Sequence, residues 1–418
     1  WLKRRHWTAQ EGRSSPDFPA TSSIRISNLC SIVSIMRCML VTVALAAATT
    51  LRGVRSTAFL ETYTFEDYER EFQRNYTKEE RAMRKGIVEA NLQFVRQVNK
   101  EPGQSWTAGV NELTDKTEDE FASQFTGLSA GMRLGGHGRG PALTHKANRT
   151  NTTKFHAGAN HTISRKDLPV SVDWREKSVV TPVMRQGACG SCWAVAAAGA
   201  LESHLALKTG QLRRVAAGAL RDCVANPREC GGQGGCKGAV AQLAFNWTVD
   251  QGVVFEDDYQ YSDRDGACRS EHVPRSSAFT GYAQLPHNDA ESLMEALATA
   301  GPVTVSVAVP SAFRSYMGGV IKCGNSQGTE DWKISHAVLA VGYGTDPFWG
   351  DYWLLKNSWG SNWGESGYIR VARAAEGTEE PCGTDVAPEL GYSCKPYPKS
   401  IEVCGHCGIL SDSSYPTV

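Results

Sequence analysis

Two cysteines three positions apart, Cys189 and Cys192, open the stretch QGACGSCWAV at residues 186–195. Such a pair can be a redox dithiol, half a zinc site, a disulfide partner, or a nucleophile beside a structural thiol. The next residues, CWAVAAAGALESHLALKTG (192–210), read as a mostly apolar helix with Gly210 as its C-cap. Cys192 then falls at a helix start, where unpaired N–H groups and the helix dipole favour an anion and lower a thiol's pKa. A thiolate nucleophile still needs a base and a group to orient that base. His336, heading HAVLAVGYG, and Asn357, ending YWLLKN, have the chemistry for these two tasks.

Those residues must be held by two kinds of element. GAVAQLAFNWTVDQG (238–252) reads as a second helix stopped by glycine. After about residue 285 the pattern switches to short strands between glycine turns, at 303–309, 336–344, 352–357 and 367–373. A helical half thus precedes a β half, and a cleft between halves is where a site is expected. Upstream, residues 59–126 are charged and amphipathic with helical spacing, and 127–167 have the glycine- and threonine-rich composition of a linker.

Composition sets further bounds. The 44 basic residues balance the 44 acidic ones, so nothing electrostatic points to nucleic acid or an acidic membrane. Residues 1–35 read as a non-native or disordered leader ahead of a start at Met36. Residues 36–58 read as a signal peptide built on the apolar run CMLVTVALAAATTL, with small residues at Ala44, Ala46, Ala48 and Ala58 for cleavage. A signal-anchor beginning near Ile24 is the alternative. The 13 cysteines fit an oxidising compartment, and the odd number after residue 168 leaves at least one thiol unpaired there. Glycosylation sequons at Asn75, Asn148, Asn151, Asn160 and Asn246 suit the same route.

CGSCW, the histidine of HAV and the NSWG at 357–360 together resemble the papain-like cysteine proteases, over about residues 62–418. The resemblance implies an α+β fold of two domains spanning 168–418. A helical left half and an antiparallel β-barrel right half would flank an active-site cleft, with a helical inhibitory propeptide at 59–126 in front. It makes Cys192 the nucleophile, His336 the base and later the acid, and Asn357 the group orienting the imidazole. Trp359 would shield that hydrogen bond, and Gln186 would donate to the oxyanion together with the Cys192 N–H. Gly238, Ala239, Val240, Ala241, Ser335, Trp363 and Asp412 would bind substrate.

Glu80, Arg84, Val88, Asn91, Val95 and Asn99 are similar to the helical propeptide signature of the cathepsin L-like branch. Gly109, Asn111, Leu113 and Asp115 resemble its second motif. The resemblance also implies disulfides Cys189–Cys236, Cys223–Cys268 and Cys323–Cys407. Cys230, Cys382, Cys394 and Cys404 remain for two further bridges, with three pairings open. CGHC at 404–407 matches a thioredoxin-like redox tetrapeptide, but it precedes ILSDSSYPTV, similar to a terminal strand of cathepsin L-like enzymes. Redox or zinc use is therefore set aside, and no metal or cofactor is expected.

Three departures stand out. VAAGAL (215–220) lacks a helix-capping Ser and Glu. Ala239 replaces a substrate-aligning glycine. Asp412 falls on the floor of the pocket for the second residue before the scissile bond. It would pair there with Arg as well as leave room for Leu or Phe, unless it turns to solvent. The expected protein is a secreted or lysosome- or vacuole-type endopeptidase made as a zymogen and cut within 127–167, with weakening of the propeptide's charge pairs in acid. Its partners would be protein and peptide substrates, its own propeptide and cystatin-type inhibitors, and it would work as a monomer. The alternatives are a catalytically silent paralog that binds or stores, and acyl or peptidyl transfer through the same thioester.

Overall fold

The computed structural model describes residues 57–126, 155–157, 163–269, 278–323 and 329–418. The leader, nearly all of the signal segment, most of 127–167 and the sequons at Asn148, Asn151 and Asn160 lie outside the described residues.

The N-terminal region carries α1 (Thr57–Thr62), α2 (Phe65–Glu71), α3 (Lys78–Lys100), β1 (Trp106–Ala108) and α4 (Glu118–Phe125). Side-chain caps set three of these starts: Thr64, Thr77 and Thr117 each accept a backbone N–H from the first turn of α2, α3 and α4. On α3, Val88, Leu92, Val95 and Val98 recur at helical spacing and are all buried, which gives the helix its inner face.

The body follows with β2 (Phe155–Ala157), β3 (Val172–Asp173), α5 (Cys192–Thr209), α6 (Ala217–Cys223), α7 (Ala241–Gln251) and β4 (Gly281–Gln284). Then come α8 (Ala290–Thr299), β5 (Val303–Ala308), α9 (Ser311–Arg314), β6 (Tyr316–Ile321), β7 (Ile334–Asp346) and β8 (Gly350–Lys356). Last are β9 (Tyr368–Ala372), β10 (Cys382–Asp385), β11 (Ile401–Cys404) and β12 (Ser413–Thr417). The main sheet runs β1-β6-β9-β8-β7-β5-β12-β4-β2, with β3 added beside β7. Its pairs are antiparallel except β6–β9 and β2–β4. The fold is thus α+β, with a helical half built round α5 and a β half built round β7, as the resemblance implies.

The helix α5 is buried on nearly every side, from Cys192 to Ala206, as expected for a helix with no polar face. It ends on Gly210 at φ 73°, the left-handed cap read from the sequence. The second helix starts at Ala241 rather than 238, because Gly238 sits at φ 86° and cannot open a helix. α6 starts on Ala216 with no side-chain cap, the consequence of VAAGAL. No helix of the described residues is long and apolar enough to cross a membrane.

β1 of the N-terminal region is hydrogen-bonded to β6 of the body, with Trp106 opposite Gly319. Gly319 lies at φ 93°, and a Cβ there would stand 2.5 Å from the Ser105 carbonyl oxygen. Only glycine lets the two strands lie this close.

Candidate active site

The loop before α5 is fixed from three sides. The Gln186 N–H donates to the Ser358 carbonyl at 2.8 Å, and the Ser358 hydroxyl donates to Gln186 Oε1 at 2.5 Å. Gln186 Nε2 donates to the Cys189 carbonyl at 2.8 Å, which leaves its second N–H free to serve another acceptor. The Tyr261 hydroxyl donates to the Gln186 carbonyl at 2.7 Å and lies 2.6 Å from Ser191 Oγ. Cys189 is bonded to Cys236, so the two thiols of the opening stretch have separate fates.

Cys192 is the free cysteine among the described residues and begins α5. It is 2% exposed, and burial pushes its thiol up to about 11 against the lowering pull of the Ala337, Trp193 and Cys192 N–H groups. The sequence pattern alone predicts a lowered value. In this form of the chain desolvation of a thiolate outweighs the helix terminus.

His336 sits near the start of β7 and is equally buried. Its Nε2 lies 2.8 Å from Asn357 Oδ1, and the same oxygen accepts the Ser358 N–H at 2.8 Å. A backbone N–H can only donate, so the Asn357 amide presents its oxygen to the ring and Nε2 carries the proton. Burial pushes His336 down to about 4, partly offset by Asn357. The neutral ring therefore leaves Nδ1 as an open acceptor, and Nδ1 has no hydrogen-bond partner among the described residues. Trp359 covers the ring with centroids 5.0 Å apart, meets Trp363 edge-on and donates its indole N–H to the Phe125 carbonyl of the N-terminal region at 2.9 Å.

Cys192 and His336 line one pocket with Ser335, Ala239, Val240 and Ala241. Asp412 lines it too and stays inside, 8% exposed, rather than turning to solvent. Its Oδ2 accepts from Ser306 Oγ at 2.7 Å, and its Oδ1 accepts from Gln242 Nε2 at 2.7 Å and Gln284 Nε2 at 3.1 Å. Burial raises its pKa while these three donors pull it back. Gly238 and Trp363 are buried outside the pocket lining, the first as a turn and the second behind Trp359.

The propeptide-type positions form one polar network. Arg84 bonds Glu80, Glu120 and the Asp115 carbonyl, and Asn91 donates to the Thr114 carbonyl. Asn99 brackets Ala108 through both its N–H and its carbonyl. The Gly109 N–H donates to the Ser315 carbonyl, and Asn111 donates to the Arg314 carbonyl at 2.7 Å. Arg84 holds the Glu120 carboxylate down to about 2, so this pair stays ionised through the ordinary acidic range and does not itself supply acid sensitivity. Asp115 accepts from the Tyr76 hydroxyl.

The remaining cysteines form Cys223–Cys268, Cys323–Cys407, Cys230–Cys394 and Cys382–Cys404. The two thiols of CGHC thus belong to different bridges. Asn75 is exposed. Asn246 is half-buried in the middle of α7 with Thr248 of its sequon 1% exposed, a poorly accessible acceptor. Sequence reasoning missed Tyr261 and Ser358, which hold Gln186, and Ser191, which meets the Tyr261 hydroxyl. Ser358 lies in NSWG and had a local signal, whereas Tyr261 is brought in from a loop with none.

Residues 168–390 match the papain family cysteine protease model, and residues 65–121 match the cathepsin propeptide inhibitor domain. Cathepsin S of Rattus norvegicus is 36% identical over 82% of the chain and 89% of its own length. Fruit bromelain of Ananas comosus is 31% identical over 78% and 84%. Among solved structures, a recombinant stem bromelain precursor superposes with a TM-score of 0.65 at 31% identity, covering 85% of this chain and 97% of that one. Digestive procathepsin L2 from Tenebrio molitor larval midgut superposes at 0.63 with 32% identity, over 85% and 98%.

Proposed function

The chain belongs to the papain family of cysteine proteases and carries a cathepsin-type propeptide; on that premise we propose that it is a zymogen whose endopeptidase chemistry runs through Cys192 and His336. Once the cleft is uncovered, the Cys192 proton passes to His336 Nδ1 and Sγ bonds to the substrate carbonyl carbon. The developing oxyanion takes the free N–H of Gln186 and the backbone N–H of Cys192, each donor worth about 10²–10³ in rate. The C–N bond breaks as Nδ1 returns the proton to the leaving amine, leaving a thioester. Water, deprotonated by Nδ1, then releases the acid and restores the thiol. Asn357 keeps Nε2 protonated throughout, so Nδ1 is always the working nitrogen.

The observation that carries this reading is His336 itself, held by Asn357 at one nitrogen and open at the other, in one pocket with an unpaired thiol. Acid activation of the full-length chain followed by mass spectrometry tests it. The expected products are a processed N-terminus near Leu168 and a thiol-directed epoxide bound to Cys192. An unprocessed chain with Cys192 unmodified sinks the proposal. A secretory route to a lysosome-like vacuole or the exterior belongs to the same reading, supported by five disulfides, and a monomeric working form and cystatin-type inhibitors are proposed with it.

Asp412 sharpens the substrate class. A guanidinium entering the pocket meets a carboxylate already holding three neutral donors, so it must displace or share them. Both Leu/Phe and Arg are proposed at the second residue before the scissile bond. Burial raises the Asp412 pKa, so the Arg-Arg to Leu-Arg ratio of reporter kcat/KM climbs with pH as the carboxylate ionises. Asp412→Ala should cut that ratio roughly tenfold and flatten its pH dependence. An unchanged ratio ends the idea.

A further inference from the structure

Between β9 and β12 the chain runs through an excursion that the catalytic motifs do not call for, and the papain-family match ends inside it, at residue 390. Its base is the β10–β11 hairpin, closed by Cys382–Cys404 and seated on the β half. There Asp385 accepts the Ile334 N–H two residues before His336, and the Cys404 N–H donates to Asn288. From that base residues 388–397 pass to the helical half and are fastened to the loop at 228–231. Cys394 is bonded to Cys230, and the Gly231 N–H donates to the Ser393 carbonyl at 2.9 Å. The Lys395 N–H donates to the Arg228 carbonyl at 2.8 Å, and the Lys395 ammonium meets Glu229 at 2.7 Å. The approach is close enough that a Cβ on Gly231 would stand 2.7 Å from the Gly391 oxygen. Among the described disulfides, Cys230–Cys394 alone joins the two halves.

This strap is no distant brace. Leu390 and Gly391 line the pocket that holds Cys192, His336 and Asp412, together with Ala239 and Val240. We propose that residues 388–397 form a specificity wall of the cleft, in which Leu390 limits the size of the substrate side chain admitted beside Asp412 and the Cys230–Cys394 bridge holds that wall in place. The proposal rests on the protease reading above. A branched apolar side chain at the end of a short 3₁₀ turn, Pro388–Leu390, gives the pocket a fixed wall, whereas an untethered loop would yield to a bulky residue. Tethering at both ends removes the freedom that yielding needs. Side chains up to the size of Leu, Phe or Arg are admitted at that position, and bulkier fused-ring ones are turned away.

The test uses the full-length chain after acid activation, with active enzyme counted by epoxide titration of Cys192. Reporter peptides with Val, Leu, Phe or naphthylalanine at the second residue before the scissile bond are compared. Leu390→Ala is expected to raise the naphthylalanine-to-Val ratio of kcat/KM roughly tenfold, mainly through KM, and Leu390→Trp to lower it. The double variant Cys230→Ala/Cys394→Ala is expected to move the ratio in the same direction as Leu390→Ala. Ratios within twofold of wild type in both Leu390 variants overturn the wall. A shift in those variants with none in the double variant overturns the tether. A wild-type enzyme that the epoxide never labels defeats the protease reading instead, so the two failures are told apart.

Discussion

Residues 57–126 hold together without a disulfide, on Arg84 with Glu80 and Glu120, Arg74 with Asp115, and three threonine-capped helices. Residues 163–418 carry five disulfides and bury Trp193, Trp353 and Trp363 completely. The two regions meet through a borrowed strand, β1 on β6, and through polar contacts such as Asn111 to the Arg314 carbonyl. The difference follows from what each region must survive. A segment that has to leave is held by hydrogen bonds and ion pairs, which water can replace at little net cost. A body that stays after the segment has left is closed by bonds that water cannot replace.

The largest effect expected from breaking this contrast is on the stapled side. Cys223–Cys268 closes a span of 45 residues. The variant Cys223→Ala/Cys268→Ala is expected to lose about 2–4 kcal/mol of stability in the body, read as a drop of several degrees in its thermal transition. Helix α3 should keep its own transition, since none of its contacts pass through that bridge. A loss below about 0.5 kcal/mol, smaller than any ordinary loop-closure effect, would show that the staples are ornament and the contrast empty.

A smaller effect is expected at the seam. Arg314 of the body donates to Asn91 Oδ1 at 2.7 Å and to the Lys116 carbonyl at 3.2 Å, and it lies 3.5 Å from Glu118. Hydrogen bonds to a charged group are worth about 1.5–3 kcal/mol. Arg314→Ala should therefore loosen the propeptide in the unprocessed chain and raise the rate of epoxide labelling of Cys192 roughly tenfold at neutral pH. An unchanged labelling rate would mean that β1–β6 pairing carries the whole attachment.

The two regions also differ in how far they could be read in advance. Cys192, His336, Asn357 and Gln186 stand in short motifs whose neighbours already declare a helix start or a strand, so local pattern reached them. The polar spacing of α3 was legible for the same reason. The strap at 388–397 was not, because four equivalent cysteines allow three pairings and only the folded chain selects Cys230 with Cys394. Nor was the burial that reverses the expected shift at Cys192, since desolvation depends on what covers a residue rather than on its neighbours in sequence. Asp412 lies between these cases: its place in the pocket was readable, and its three donors from β4, β5 and α7 were not.

The smallest effect separates the regions by pH. His204, buried on α5, is stacked on Tyr415 with ring centroids 5.5 Å apart, and its Nε2 lies 2.9 Å from the Pro302 carbonyl. A carbonyl only accepts, so Nε2 carries the proton, and burial pushes the ring's pKa down to about 4. The unfolded chain takes up a proton near the usual 6.5, which the folded chain refuses until about 4. Stability of the body therefore falls as pH drops through that window, and His336 adds a change of the same sign. Glu120 in the N-terminal region behaves differently. Its carboxylate is held down to about 2, so the stability it contributes is present above the usual carboxylate range and is lost only as pH falls toward 2. His204→Gln keeps a donor for Pro302 and removes the titration. Between pH 7 and pH 5 it should shrink the body's acid loss by about 1–2 kcal/mol, measured by urea unfolding at the two values. An acid loss equal to wild type would place the body's pH sensitivity elsewhere, and the two regions would then differ in their staples but not in their response to protons.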